Sequence, residues 1–170
     1  MKKLLLSAAI AVFAMSNINA QEVKFGVKAG ADFASIRVDY DGDNISTSET
    51  GFYLGAFAEI KISESFIFQP EVLYVSVEDL DQIAIPLMAK IPVSDKFNVL
   101  AGPALGILLD TAEDMKSLNF GLEAGVAYDV SENFLLEARY NLGLANLQED
   151  APSGYSAKLS GFFVGVGYKF

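Results

Sequence analysis

The segment Phe162-Phe163-Val164-Gly165-Val166-Gly167-Tyr168-Lys169-Phe170 decides the fold. Phe162, Val164, Val166, Tyr168 and Phe170 fall on one side of an extended chain. Phe163, Gly165, Gly167 and Lys169 fall on the other. Side chains alternate with a period of two in a strand and not in a helix, so the segment reads as a β-strand with one broad apolar face.

Seven segments upstream follow the same rule. Strands are expected over residues 23–38, 51–62, 66–77, 82–91, 97–109, 118–130 and 134–147, with the terminal segment as the eighth. Residues 63–65, 93–96 and 131–133 read as tight turns. Residues 39–50, 110–117 and 148–157 read as longer polar loops, and 78–81 is a short exception. Tight turns on one rim and longer loops on the other are the plan of a membrane-spanning barrel, with turns in the periplasm and loops outside.

The faces opposite the apolar ones fix the class. They carry Lys24, Lys28, Lys61, Lys90 and Arg139 against Asp32, Glu59, Glu71, Glu123 and Glu137, among Gly and Ala. In a water-soluble barrel the apolar face would point inward and the charges outward. Here the apolar face is present on all eight strands, and a closed barrel in lipid satisfies every backbone group and leaves no edge. The expectation is therefore an all-β, eight-stranded antiparallel up-and-down transmembrane β-barrel over residues 21–170. An unpaired buried charge is costly, and an eight-stranded interior is just wide enough to be filled by side chains. The candidate site is thus structural: Lys28, Glu59, Lys61, Glu71, Lys90, Glu123, Glu137 and Arg139 as a charge network that plugs the lumen. Phe25, Phe66, Phe97, Phe134 and Tyr168 on the turn side, and Phe33, Phe52 and Tyr74 on the loop side, read as interfacial girdles. Pro70, Pro86 and Pro103 lie inside expected strands, where a residue that cannot donate to the ladder predicts bulges or shorter strands. The opposing arrangement, a soluble barrel, would put Phe52, Leu122 and Val164 in a dry centre and Glu71 and Arg139 in water.

Composition narrows the function classes. Hydrophobic residues make up 52% of the 170, yet beyond the N-terminus no run approaches the roughly 20 apolar residues of a spanning helix. The longest, residues 99–109, is interrupted by Gly102, Pro103 and Gly106. Residues 1–20 read as a secretory signal peptide: Lys2 and Lys3, an apolar stretch over 4–15, and Asn17-Ile18-Asn19-Ala20 before Gln21. There is no cysteine, hence no disulfide or thiolate site. There is no histidine either, which removes the usual near-neutral acid–base group. A formal net charge of −10 makes nucleic acid a poor partner.

The mature chain resembles the PorT-like outer-membrane β-barrel family of Bacteroidota, itself similar to the small OmpX-type barrels. The resemblance is carried by Phe25-Gly26-Val27-Lys28-Ala29-Gly30-Ala31, residues 51–59, Phe68-Gln69-Pro70-Glu71, Ile85-Pro86-Leu87, Leu100-Ala101-Gly102-Pro103, Phe120-Gly121-Leu122-Glu123-Ala124-Gly125, Ala138-Arg139-Tyr140 and Gly165-Val166-Gly167-Tyr168-Lys169-Phe170. It implies a barrel in the outer membrane, tolerance of strand prolines, and no catalytic residues. Phe162, Val164, Val166, Tyr168 and Phe170 also resemble the C-terminal signal read by the barrel-assembly machinery.

Other motifs give less. Asp39, Asp41, Asp43 and Asn44 begin like a calcium loop, but Asn44 stands where glycine is wanted and Thr50 where glutamate is wanted. Glu59, Glu71, Glu123 and Glu137 could be catalytic carboxylates, but lysines and Arg139 share their face, and a structural network is the reading taken. No glycine-rich loop leads from a strand into a helix, so no nucleotide site is expected. The expectations are a non-enzyme with no cofactor and no metal, with a structural, surface-interaction or envelope role. Its partners would be outer-membrane lipid, lipopolysaccharide bridged by divalent cations at the acidic loops, the barrel-assembly machinery, and an envelope protein. The alternatives are an accessory barrel of a secretion system or a narrow channel.

Overall fold

A computed structural model describes residues 22–40, 43–78, 80–109, 116–148 and 155–170. The expected leader, residues 1–20, lies outside them, as do Asp41, Asp79, residues 110–115 and residues 149–154. Eight strands appear among the described residues: β1 (Val23–Tyr40), β2 (Asp43–Ser63), β3 (Phe66–Val77), β4 (Leu80–Pro92), β5 (Phe97–Leu108), β6 (Leu118–Asp129), β7 (Phe134–Gly143) and β8 (Tyr155–Lys169). Each pairs antiparallel with its sequence neighbour, and β1 pairs with β8, so the sheet closes as a barrel in chain order. Gly26 faces Lys169 and Tyr40 faces Tyr155 across that closure.

The alternation lands as the sequence implies. Phe52 (51% exposed), Leu122 (51%) and Val164 (42%) stand on the outer wall, whereas Glu71 (2%) and Arg139 (1%) are enclosed. A face this apolar and continuous has no place in water. Phe25 and Phe33 are eight positions apart on β1, about 26 Å of strand. With a tilt of about 40° that spans about 20 Å, close to the apolar band of roughly 25 Å in such barrels. Aromatic contacts mark both rims. Phe134 and Tyr168 rings lie 4.9 Å apart at the turn end; Phe33–Phe162 and Phe52–Tyr74 lie 6.4 Å apart nearer the loops.

Two of the tight turns share one design. In Val93-Ser94-Asp95-Lys96-Phe97 the Val93 N–H donates to the Phe97 carbonyl and the Phe97 N–H to Ser94 Oγ. Val130-Ser131-Glu132-Asn133-Phe134 repeats both bonds. The serine hydroxyl closes the loop and pins the following aromatic at the rim.

Three expectations need correction. Residues 39–50 are not simply a loop: β1 runs on to Tyr40 and β2 begins at Asp43. Together with β8 from Tyr155 they carry a three-stranded sheet past the end of β3 and β7, which stop at Val77 and Gly143. The seventh strand is shorter than expected, ending at Gly143 rather than near 147. Pro70, Pro86 and Pro103 also produce neither bulges nor strand ends. The ladder skips two positions beside each of the first two, between Pro70↔Leu87 and Leu73↔Ala84, and between Pro86↔Ala104 and Ala89↔Ala101, and resumes in unchanged register. The single register shift of the β2–β3 ladder is elsewhere, between Lys61 and Ser63.

Candidate functional site

The interior is layered along the barrel axis. Inward positions on β3, β7 and β1 bring Glu71, Glu137, Arg139 and Lys28 to one level in the middle. Lys28 Nζ donates to Glu71 Oε1 at 2.9 Å and to Glu137 Oε2 at 2.8 Å. Arg139 Nη1 lies 2.9 Å from Glu71 Oε2 and 2.8 Å from Glu123 Oε1, and its Nη2 lies 3.2 Å from Glu137 Oε1. The contact to Glu123 Oε1 and the one from Nη2 lack hydrogen-bond alignment, and Arg139 Nε has no partner among the described residues. Tyr53 Oη donates to Glu137 at 3.0 Å and Gln69 Nε2 to Glu71 at 2.8 Å. The Lys28 ammonium sits 4.9 Å over the Phe57 ring, and the Arg139 guanidinium 5.9 Å over Phe163. Ion pairs taken out of water survive only when such further bonds satisfy the remaining donors and acceptors.

Glycines make room for this layer. Gly30 and Gly165 face each other across the β1–β8 closure, and the Tyr53 ring lies over both. A Cβ on Gly30 would collide with the Val164 carbonyl and Tyr53 Cε1, and one on Gly165 with Tyr53 Oη and the Ala29 carbonyl.

A second charged group sits nearer the short turns. Lys90 bonds Glu59, Lys169 Nζ donates to Asp129 at 2.7 Å, and Asn98 Nδ2 donates to Asp129 at 2.8 Å. These residues line a cavity of about 500 Å³ that opens at that end. Lys61 lines the same cavity at its rim but joins neither network: it pairs with Glu64 at 2.9 Å, its side chain 38% exposed. Lys24 likewise pairs with Glu22 at 3.1 Å among the exposed residues lining that cavity, and the ammonium holds the Glu22 carboxyl below its ordinary range.

Toward the loops the interior carries an apolar cluster beside the buried polar side chains of Asp32, Gln82 and Asn119, where the expectation was a lumen plugged by paired charges. Ala34, Leu73, Val75, Val77, Leu108, Leu147, Leu159 and Phe163 pack there with the Tyr53 ring, while Met88, Leu100 and Ala127 form a smaller cluster on the short-turn side, level with Lys90 and Asn98. The cause is visible in β3, where Leu73, Val75 and Val77 face inward while Val72 and Tyr74 face out. A strand apolar on both faces hides its lumen side from a count of charges. Asp129, Lys169, Gln69 and Tyr53 join the site beyond the expected residues, and the inward parity that Asp129 and Lys169 share with Glu123 and Gly165 on their strands is the signal for two of them. Phe162, Val164, Val166 and Tyr168 form the outward face of β8, and Phe170 follows the strand, its N–H bonded to the Phe25 carbonyl at 2.9 Å. Among the described residues there is no group of three or more metal-ligating side chains.

The comparisons agree with this architecture. The sequence matches the family described as outer membrane protein beta-barrel domain over residues 5–170. No curated protein matches it. Among solved structures it is similar to Ail, the attachment invasion locus protein of Yersinia pestis, at 17% identity and a TM-score of 0.53, covering 88% of this chain and 99% of that one. Neisserial surface protein A is similar at 19% identity and a TM-score of 0.51, with 88% and 99% covered. At these identities the likeness shows the fold alone.

Proposed function

The chain belongs to the outer membrane protein beta-barrel domain family, an integral β-barrel of the outer membrane, and on that premise we propose that it is a sealed, non-enzymatic barrel whose working surface is its outer end. The observation that carries the proposal is Arg139. It is 1% exposed and touches carboxylates from β3, β6 and β7 at once, in the middle of a lumen capped on the loop side by packed apolar side chains. Water and ions have no continuous path through such a cross-section. None of the four glutamates has the histidine or free nucleophile that would turn a carboxylate pair into a hydrolytic site.

The remaining assignments follow from that role. Residues 1–20 act as the export signal, the outward face of β8 with Phe170 is what the barrel-assembly machinery reads, and the family branch is the PorT-like one. The short turns face the periplasm and the three-stranded extension of β1, β2 and β8 faces outward, where acidic residues meet lipopolysaccharide through divalent cations and an envelope protein can dock. Residues 44–50 of β2 pair with β1 on one side and have no strand on the other among the described residues, an arrangement that suits strand addition by a protein partner.

Planar-bilayer recording of the purified barrel tests the central claim. The expected trace is free of unit conductance steps. Steady, reproducible openings in the parent protein would replace the sealed barrel with a narrow channel.

A further inference from the structure

The central layer does not balance. Four carboxylates, Asp32, Glu71, Glu123 and Glu137, share two cations, Lys28 and Arg139. Glu71 and Glu137 each contact both. Of the two cations Glu123 reaches only Arg139, and its Oε2 accepts from Asn141 Nδ2 at 3.5 Å. The side chain of Asp32, a residue 1% exposed, has no hydrogen bond or ion pair among the described residues, and its Oδ1 is fully enclosed. The other enclosed cations, Lys90 and Lys169, are engaged with Glu59 and Asp129 toward the short turns. Two excess negative charges therefore sit on one side of the layer.

That side is a cavity. Asp32 and Glu123 line a space of about 30 Å³ with Gln82, Asn119, Asn141 and Ser160 on its polar side, and residues of the apolar cluster, Leu73, Val77 and Leu159 among them, close the rest. Asn119 Oδ1 is buried with no donor, a second unpartnered oxygen independent of the carboxylates. Glycines keep the space open: a Cβ on Gly161 would stand 2.8 Å from Asp32 Oδ1, and one on Gly106 2.7 Å from Gln82 Oε1. Enclosed oxygens without donors on Asp32 and Asn119, beside a Glu123 whose only cation is shared with two other carboxylates, are costly as they stand. A proton on Asp32 would cancel one charge. A divalent cation cancels two and satisfies the amide oxygen as well. The polar groups of the lining are carboxylates, amides and a hydroxyl, with no sulfur or imidazole; their oxygens select a hard ion, and amide and carboxylate oxygens on separate strands suit the loose coordination of calcium better than the strict octahedron of magnesium. The volume holds one ion with about one water.

We propose that this cavity, bounded by Asp32, Glu123, Asn119 and Gln82, binds one calcium-like divalent cation inside the barrel. The site is separate from the acidic outer end, and its occupancy is measured independently of conductance, so the sealed-lumen reading and this one can fail separately.

The test is calorimetric titration of the chelator-stripped, folded barrel with calcium chloride, repeated with magnesium and sodium, beside thermal unfolding with and without calcium. The expected result is one saturable calcium per barrel, at least 10-fold weaker in Asp32→Asn and unchanged in a surface control carrying Asp39→Asn and Glu49→Gln. Asp32→Asn should melt above the parent in chelator, and calcium should raise the parent alone. Uptake that survives Asp32→Asn and disappears in the surface control would overturn the proposal. So would the absence of stoichiometric uptake, or a parent whose melting ignores calcium, the outcome expected of a protonated Asp32. Asn119→Ala changes no charge; should Asp32→Asn fail to fold, a 10-fold loss in Asn119→Ala carries the reading and undiminished affinity there ends it.

Discussion

Arg139 sets the terms at the scale of the residue. Its guanidinium is the shared counter-charge of three enclosed glutamates, so Arg139→Met strands them together in a closed space. Removing one partner of a buried pair costs about 3–5 kcal/mol, and denaturant unfolding of the barrel in lipid vesicles should show a loss of that size. Lys61→Ala, removing a rim pair half in water, should cost less than about 1 kcal/mol in the same assay; a loss equal to that of Arg139→Met would contradict its placement on the rim. Gly165→Ala drives a methyl group into Tyr53 and the Ala29 carbonyl, and overpacking of this kind costs about 1–3 kcal/mol. Wild-type stability in that variant would mean the ring does not lie where described. At this scale the sequence reveals parity and hides height. Period two tells which face Lys61, Glu71 and Arg139 share, and nothing in it separates a rim lysine from a central one. Partners are hidden for a related reason: Lys28 and Glu137 are 109 positions apart and meet only because of the stagger with which eight strands close.

Elements were legible where the alternation was strong and illegible where it lapsed. The strands from Phe97 to Lys169 start where the apolar period starts or within a loop of it, because each must show lipid an unbroken face. Asn44-Ile45-Ser46-Thr47-Ser48-Glu49 has no such face and yet is strand. Beyond the membrane both sides of a hairpin meet water, so pairing to β1, not burial, holds it, and Ser and Thr suffice. The prolines show the converse. Their missing N–H predicts a bulge, but a bulge would swing every later side chain of the strand to the wrong face, so the ladder gives up bonds and keeps register. Pro70 pairs with Leu87, beside Pro86, and Pro86 pairs with Ala104, beside Pro103, so the three run as a diagonal seam across β3, β4 and β5. Hydrogen exchange should report this seam. Amides of Leu87, Met88 and Gly102 should exchange at least 10-fold faster than those of Ala29, Ala31 and Val166 on the closure between β1 and β8. Equal protection would show that the wall is uniform.

For the molecule as a whole, closure in chain order was legible, since strand count, turn length and face polarity all pointed to it. The apolar cap at the loop end was not, because inward Leu73, Val75 and Val77 look like outward residues until the register is known. A wall with no free edge over most of its height and a filled interior should resist sodium dodecyl sulfate until boiled. The unboiled barrel is expected to migrate as a separate, faster band on a gel, and identical migration before and after boiling would argue against a closed barrel.

The bond between β1 and β8 has a consequence for biogenesis. The first strand finds its second neighbour only in the last, with Gly26 opposite Lys169, so the chain cannot mature progressively as it leaves the ribosome. It must travel unfolded, sheltered from aggregation by other proteins, and complete itself in one late, slow event dominated by the most distant contact in the sequence. An incomplete copy, however nearly finished, would have an open seam and nowhere stable to go.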